Sequence, residues 1–135
     1  MARLDWFEHS RDGALAYLGK RGERKLGYNT RMMGGRDGVP WVIFHSTCIA
    51  RYEEDGVLVS TGRWWTVTTK DRINQLLPRG YAVYSKGHTV TREVWDWKSQ
   101  AYVKRRVWES DWWLYRDGQP VQEFYDGVKV PYSQS

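Results

Sequence analysis

The chain has 135 residues, and we expect residues 1–135 to form a single domain. It carries 21 Lys and Arg against 16 Asp and Glu, and this net charge of +5 favours a polyanionic partner. No apolar run approaches the ~20 residues that span a bilayer. A single cysteine, Cys48, excludes an intrachain disulfide and a multi-thiolate metal site. We therefore expect a soluble, intracellular protein with neither a membrane partner nor a cofactor.

Aromatic residues make up 16% of the chain, including nine Trp and nine Tyr. One interpretation places Trp in the core in place of aliphatic residues, because each large ring buries about 150–250 Å². The other exposes some rings as platforms that stack on bases, at about 1–3 kcal/mol per base. We expect most Trp residues in the core and one or two on the surface.

The first forty residues give weak patterns. Residues 4–10 fit a short helix or an irregular arm. The apolar patch at 14–18 is too short for its type of secondary structure to be predicted. Residues 19–38 combine six glycines with scattered cations. We predict a flexible, basic connector there.

From Val39 the sequence turns to β patterns. Residues 41–52 predict one long strand, Asp55-Gly56 a tight turn, and residues 57–60 a returning strand. A third strand over 63–68 completes a predicted three-stranded meander.

Residues 69–77 predict the one clear helix. Thr68 or Thr69 can cap it, and Pro78 ends it. Ile73, Leu76 and Leu77 form one apolar stripe that can pack on the meander.

The remaining chain predicts three more β units. They are a hairpin of 81–84 with 88–91 around Lys86-Gly87, a pairing of 94–97 with 102–103, and a hairpin of 112–115 with 121–125. Asp126-Gly127 predicts a last turn. A helix through Val94, Trp97, Ala101 and Trp108 is the alternative to the second unit. The predicted fold class is α+β: mainly antiparallel β meander and hairpins with one short helix near 69–77.

The central block carries a run of short motifs and a Trp-Thr-x-Thr-Thr-x-x-Arg-Ile-Asn sequence. The motifs are Tyr28-Asn29-Thr30-Arg31, His45-Ser46-Thr47, Ile49-Ala50, Tyr52, Asp55-Gly56, Gly62, Trp65-Thr66-Val67-Thr68-Thr69-Lys70, Arg72-Ile73-Asn74 and Leu77-Pro78. This block, about residues 28–85, resembles a family of small proteins from tailed bacteriophages, especially those that infect actinobacteria. Where those relatives read Gly-Gly-Trp, this chain has Gly62-Arg63-Trp64-Trp65.

The resemblance implies a phage gene product that acts in the host bacterial cytoplasm. Small accessory phage proteins often bind nucleic acid or disable a host defence. This association is a separate reason to expect such a role, and it does not depend on any residue of this chain. The resemblance carries no functional residue over to this chain.

The sequence contains few of the residue patterns that are typical of enzyme active sites. It has no His-x-x-x-His or Cys-x-x-Cys pair and no phosphate-binding Walker loop. Cys48 with His45 or His88 as its base is a conceivable nucleophile, but a small buried thiol in a strand is the favoured interpretation. We predict that the protein is not an enzyme.

Two basic clusters suggest phosphate binding. The first holds Lys20, Arg21, Arg24, Lys25, Arg31 and Arg36; the second holds Lys98, Lys104, Arg105 and Arg106. Trp97 and Tyr102 flank the second cluster, and single-strand binders combine rings and cations in this way. Solvation of a sheet face by the same cations is an equally weighted alternative.

Arg72 and Asn74 form a polar group with three threonines near the start of the helix. A helix N-terminus attracts anions, although simple capping explains the threonines as well.

The leading hypothesis is a non-enzymatic phage accessory protein that binds a phosphate-bearing ligand, either single-stranded nucleic acid or a nucleotide. The predicted ligand-binding residues are Arg24, Lys25, Arg31, Trp64, Arg72, Trp97, Arg105 and Arg106. The alternative is an inhibitor that docks on a host enzyme or defence complex through aromatic hot spots.

Overall fold

The computed structural model describes residues 7–35 and 37–132. Its helices are α1 (Arg11–Leu18) and α2 (Val67–Asn74). The strands are β1 (Glu23–Gly27), β2 (Thr30–Gly34), β3 (Pro40–Phe44), β4 (Thr47–Tyr52), β5 (Gly56–Val59), β6 (Tyr81–Asp96), β7 (Ala101–Arg116), β8 (Gln119–Glu123) and β9 (Val128–Pro131).

The strands form two antiparallel sheets. The larger has the order β1-β2-β3-β4-β5-β9, and the smaller has the order β6-β7-β8. Because every pairing is antiparallel and helices are few, the predicted α+β class is confirmed.

The core is mostly aliphatic, and the expectation that most Trp residues fill it was wrong. Its buried aromatic side chains are Phe7, Phe44, Tyr52, Tyr81 and Phe124. Its fully buried members include Leu26, Ile49, Ile73, Leu76 and Val83. Within the described residues no Trp side chain is buried; the eight besides Trp6 are half-buried or exposed. Aliphatic side chains of the strands, Ile73 of α2 and the two leucines that follow this helix supply most of the interior, and the described Trp rings lie at its edge or on the surface.

The connector predicted over residues 19–38 is largely a β-hairpin. Strands β1 and β2 pair antiparallel, with Lys25 opposite Arg31. Leu26, Thr30 and Met32 are buried, so the hairpin contributes to the core. The glycines and charged residues concealed this alternation in the sequence. Arg36, counted in the first basic cluster, lies outside the described residues.

The predicted long strand over 41–52 is two strands, β3 and β4, joined by a tight turn. The chain reverses at His45, whose φ of 57° lies in the left-handed region. The predicted return around Asp55-Gly56 is confirmed by the pairing of β4 with β5.

The predicted third strand over 63–68 does not exist. Thr66 instead caps α2, because its side-chain oxygen accepts a hydrogen bond of 3.2 Å from the Thr69 backbone N–H. The helix therefore starts at Val67 and not at 69, and β9 takes the place beside β5.

Strand β6 runs unbroken through Lys86 and Gly87, so the hairpin predicted there was wrong. The pairing of 94–97 with 102–103 is confirmed in outline by Val94 opposite Val103 in the β6–β7 ladder, and the alternative helix is excluded. The turn at Asp117-Gly118 is also confirmed, with positive φ at both residues.

Helix α2 attaches the smaller sheet to the core through Asn74. The Asn74 amide donates a hydrogen bond of 2.9 Å to the Val83 carbonyl and accepts one of 2.6 Å from the Val83 backbone N–H. The Asn74 side chain thus pairs with both backbone groups of Val83, as the backbone of a neighbouring strand would do. Val83 is fully buried, so no solvent reaches these backbone groups.

We predict that Asn74→Ala lowers the free energy of unfolding by roughly 2–4 kcal/mol, because it leaves two buried backbone groups unpaired. Chemical denaturation measures the loss. Val67→Ala on the exposed side of the same helix is the control, with an expected change below about 0.5 kcal/mol. A loss below about 1 kcal/mol for Asn74→Ala would contradict the stabilising role of the two hydrogen bonds between Asn74 and Val83.

Candidate nucleic-acid interface

Strands β6 and β7 form a long projecting ladder. Each has 16 residues, and the register runs from Tyr81 opposite Arg116 to Asp96 opposite Ala101. At about 3.4 Å per residue, the ladder is about 50 Å long. Strand β8 pairs with β7 only from Trp113 to Arg116. In the described part of the chain, residues 85–96 and 101–112 are therefore a two-stranded ribbon, and we refer to them as the ribbon.

The base of the ladder decides which side chains share a face of the ribbon. Val83 lies opposite Leu114, and both are buried in the core. Because side chains alternate along a strand, every second residue from this pair projects on the same side. We call that side the aromatic face: Gly87, Thr89, Thr91, Glu93, Trp95, Tyr102, Lys104, Arg106, Trp108 and Ser110. The opposite valine face holds His88, Val90, Arg92, Val94, Asp96, Ala101, Val103, Arg105, Val107 and Glu109.

Exposed rings occupy both ends of the aromatic face. At the tip, the ring of Trp95 meets the ring of Tyr102 at 5.2 Å and that of Trp97, in the turn, at 5.9 Å, both edge to face. Nearer the base lies Trp108. The exposed fractions are 81% for Trp97, 72% for Trp108 and 69% for Tyr102. Such a row of large exposed rings makes this surface a candidate binding site.

Trp108 packs against the bare backbone of Gly87, its diagonal neighbour across the ladder. A Cβ at position 87 would lie 2.0 Å from Trp108 Cζ2, so only glycine admits the indole against the β6 backbone. The ring therefore lies on the ribbon as a fixed platform. This contact also explains why Gly87 belongs to a strand and not to a turn.

The two faces differ in the state of their cations. On the valine face, Arg92 donates two hydrogen bonds of 2.8 Å to Glu109, and Arg105 lies 3.8 Å from Asp96. The bond from Arg92 keeps the pKa of Glu109 below its usual value, so this pair stays ionised.

The aromatic face keeps its cations available. Within the described residues neither Lys104 nor Arg106 has an ion-pair partner, although Glu93 stands opposite Lys104 in the register. Tyr102, Lys104, Arg106 and Trp108 follow one another at every second position of β7. They therefore present ring, cation, cation and ring over about 20 Å.

Of the predicted ligand-binding residues, the structure brings only three to this hairpin. Trp97 lies in its turn, Arg106 on the aromatic face and Arg105 on the valine face. The two neighbouring arginines thus project on opposite sides.

Arg24, Lys25 and Arg31 of the first basic cluster lie on the β1–β2 hairpin of the other sheet. Arg24 packs 4.1 Å above the ring of Tyr17 and donates a 2.7 Å hydrogen bond to its carbonyl. Arg31 pairs with Glu23 at 2.8 Å, and Lys25 is exposed opposite Arg31. Two of these three cations thus already have contacts within the protein.

Arg72 and Trp64 lie apart from both clusters. Arg72 donates a 2.8 Å hydrogen bond to Gln75 and one of 3.3 Å to the Tyr28 carbonyl, and its guanidinium is 5.5 Å from the ring of Phe44. Burial lowers the pKa of Arg72, and the group stays charged at neutral pH. Trp64 stands at the mouth of a cavity that is described below.

Trp108 is the site residue that the sequence analysis missed, and Tyr102 and Lys104 were noted but not selected. The signal was present in the every-second spacing of residues 102, 104, 106 and 108. It could be used only once residues 101–116 were known to be one strand.

The residues considered for catalysis lie in different parts of the fold: His88 is on the valine face of the ribbon, whereas Cys48 and His45 belong to β4 and the β3–β4 turn of the larger sheet. Cys48 donates a weak hydrogen bond to the Ala50 carbonyl, and burial raises the pKa of its thiol. A raised pKa disfavours the thiolate that a nucleophile needs. His45 lies in the β3–β4 turn with its ring 4.4 Å from Phe44. Among residues 7–35 and 37–132, no three His, Cys, Asp or Glu side chains come together as metal ligands.

We predict that the Gly87 Hα protons resonate upfield of ordinary glycine values, because they lie under the Trp108 indole. Proton NMR of the folded protein tests this contact. Trp108→Leu should return the Gly87 signals to ordinary values, while Trp97→Leu at the tip should leave them shifted. Gly87 signals that do not respond to Trp108→Leu would show that the ring lies elsewhere.

Comparison with known proteins gives one match. A family model described as Kyanoviridae Gp96 protein matches residues 10–130. Searches of curated proteins and of solved structures returned no match. No helix in the described ranges is long and apolar enough to cross a bilayer. The family match confirms the expected phage origin. Since it covers most of the 135 residues, the chain belongs to the Kyanoviridae Gp96 family of phage proteins.

Proposed function

We propose that this phage protein binds a single-stranded nucleic acid along the aromatic face of the ribbon. The observation that carries the proposal is the sequence of exposed ring, free cation, free cation and exposed ring from Tyr102 to Trp108. Exposed rings stack on bases of any identity, and cations neutralise the phosphates between them. The aromatic face supplies both groups in one row.

The shape of the surface favours a strand over a free nucleotide. A nucleotide-binding protein encloses its ligand in a pocket, whereas the ribbon is open and its row of groups extends for about 20 Å. Unpaired bases can reach the rings, but the bases of a duplex are stacked on one another. A single strand can therefore contact more of the aromatic face than a free nucleotide or a duplex can.

The other parts of the proposal follow the sequence hypothesis. We propose that the protein has no catalytic activity and acts in the cytoplasm of its bacterial host, where binding counters a host defence. For the first part, burial raises the pKa of the Cys48 thiol, which argues against Cys48 alone as a nucleophile. The lack of a membrane-spanning helix in the described ranges agrees with the second. An actinobacterial host stays a prediction.

Direct inhibition of a host enzyme or defence complex is the second candidate function. The cluster of Trp95, Trp97 and Tyr102 at the ribbon tip favours it, because Trp, Tyr and Arg dominate the hot spots of protein interfaces. Salt separates the two functions. A phosphate contact weakens strongly with rising salt, whereas an aromatic protein interface changes little.

We predict that Arg106→Ala weakens binding to a labelled single-stranded oligonucleotide and makes binding less sensitive to salt. Loss of one phosphate contact should reduce the slope of log affinity against log salt by about 0.7. Fluorescence anisotropy between about 50 and 200 mM salt measures both effects. Arg105→Ala is the matched control, since this neighbour projects on the valine face and is paired with Asp96. Equal effects of the two substitutions would place the strand elsewhere.

We further predict that Trp108→Ala weakens the same binding roughly 5- to 150-fold, which corresponds to the loss of about 1–3 kcal/mol of stacking on one base. Tyr84→Ala removes an exposed ring at the base of the ladder on the side of the valine face, and it should leave affinity within about twofold. Absence of oligonucleotide binding by the folded wild-type protein would refute the proposed function and turn attention to host proteins.

A further inference from the structure

A cavity of about 340 Å³ lies between the β3–β4 turn and the start of α2, apart from the ribbon. No residue of the ribbon lines it. Its lining residues are Phe44, His45, Ser46, Thr47, Ile49, Thr61, Trp64, Thr66, Thr68 and Thr69.

The lining combines rings with hydroxyl groups and contains no Asp, Glu, Lys or Arg. Phe44, His45 and Trp64 supply the rings. Such a surface suits a flat ligand without charge that carries hydrogen-bonding groups on its edge.

Some of the hydroxyls are engaged within the protein, and others are free to meet a ligand. Thr61 donates to the Asp126 carboxylate, and Thr66 caps α2. Within the described residues the hydroxyls of Ser46, Thr47 and Thr68 make no hydrogen bond. Each can both donate and accept, so three hydrogen-bonding groups remain at the cavity.

The loop of residues 60–66 holds Trp64 over the cavity. On one side of Trp64, the Thr61 backbone N–H donates a 2.6 Å hydrogen bond to Asp126. On the other side, the Trp65 ring meets Trp112 at 4.9 Å. Trp64 itself is 60% exposed.

The backbone of this loop is strained where it passes the β3–β4 turn. A Cβ at Gly62 would lie 2.2 Å from Thr47 Cγ2, and Arg63 has a φ of 75°, unusual for a residue other than glycine. Such conformations persist only where the surrounding contacts impose them, and they concentrate at ligand sites. Here the two unusual backbone conformations, at Gly62 and Arg63, directly precede Trp64, which lines the cavity.

We propose that this cavity binds an uncharged heteroaromatic ring of nucleobase size. The ring stacks on Trp64, and its edge exchanges hydrogen bonds with Ser46, Thr47 and Thr68. The volume lies at the low end of ligand cavities, so it accepts a single ring system and not a dinucleotide. Proteins that bind extruded bases read them in this way, by stacking and by hydrogen bonds to the edge. The proposal is independent of strand binding by the ribbon.

Isothermal titration calorimetry with adenosine, guanosine, cytidine and uridine, each against ribose, tests the proposal. We expect saturable binding of at least one nucleoside and none of ribose. The affinity should be nearly independent of salt, because the ligand is uncharged. No saturable nucleoside binding, or binding of ribose equal to that of the best nucleoside, would overturn the proposal.

Variants locate the binding. Trp64→Ala should weaken nucleoside binding at least about fivefold, and Thr68→Val should weaken it severalfold while keeping the shape of the side chain. Thermal unfolding confirms that each variant is folded. Tyr84→Ala, which removes an exposed ring outside both the cavity and the aromatic face, is the matched control and should leave nucleoside affinity unchanged. Unchanged affinity in folded Trp64→Ala would refute the site. Arg106→Ala, which should weaken oligonucleotide binding, should leave nucleoside affinity unchanged, and a parallel weakening of both would place nucleoside binding on the ribbon and refute the cavity site.

Discussion

The register of β6 against β7 is the constraint on which the ribbon depends. One buried pair, Val83 and Leu114, fixes that register at the base of the ladder. Since alternate side chains project on opposite sides, the pair decides the orientation of every residue to the tip. A slip of one residue would exchange Arg106 with Arg105 and turn Trp108 to the other face. Packing in the core thus determines the composition of a surface far from it.

Stability and proposed function use the same cross-strand contacts. A two-stranded hairpin in water is only marginally stable, and the ribbon has no third strand among the described residues. Val94 opposite Val103, Trp95 against Tyr102 and Arg92 with Glu109 hold its outer part together. These contacts also neutralise the valine face and arrange the rings on the aromatic face. At the base, the two hydrogen bonds between Asn74 and Val83 of β6 join the ladder to the core.

The tryptophans have a different role from the one that composition suggests. Leucine, isoleucine and valine side chains of both sheets and of the segment around α2 supply most of the core, together with Phe and Tyr rings, and the described Trp rings lie outside it. Trp108 lies against bare backbone at Gly87, and Trp64 projects from a loop held by Thr61 and Trp65. Each ring is positioned by its neighbours while one side stays open to a ligand. The two surfaces share no residue, although the Trp65 ring beside Trp64 packs against Trp112 at the base of the ribbon.

The sequence by itself determined the α+β class, the turns at Asp55-Gly56 and Asp117-Gly118, and the position of α2 to within three residues. These features depend on turn chemistry, capping and periodicity, which act between near neighbours in the chain. Only the tertiary structure decided the continuity of β6, the faces of the ribbon and the exposure of the tryptophans. Gly87 reads as a turn until Trp108, twenty-one residues later, covers it. Likewise Arg105 and Arg106 look equivalent until the core pair sets the register, because such contacts join residues that the chain keeps far apart.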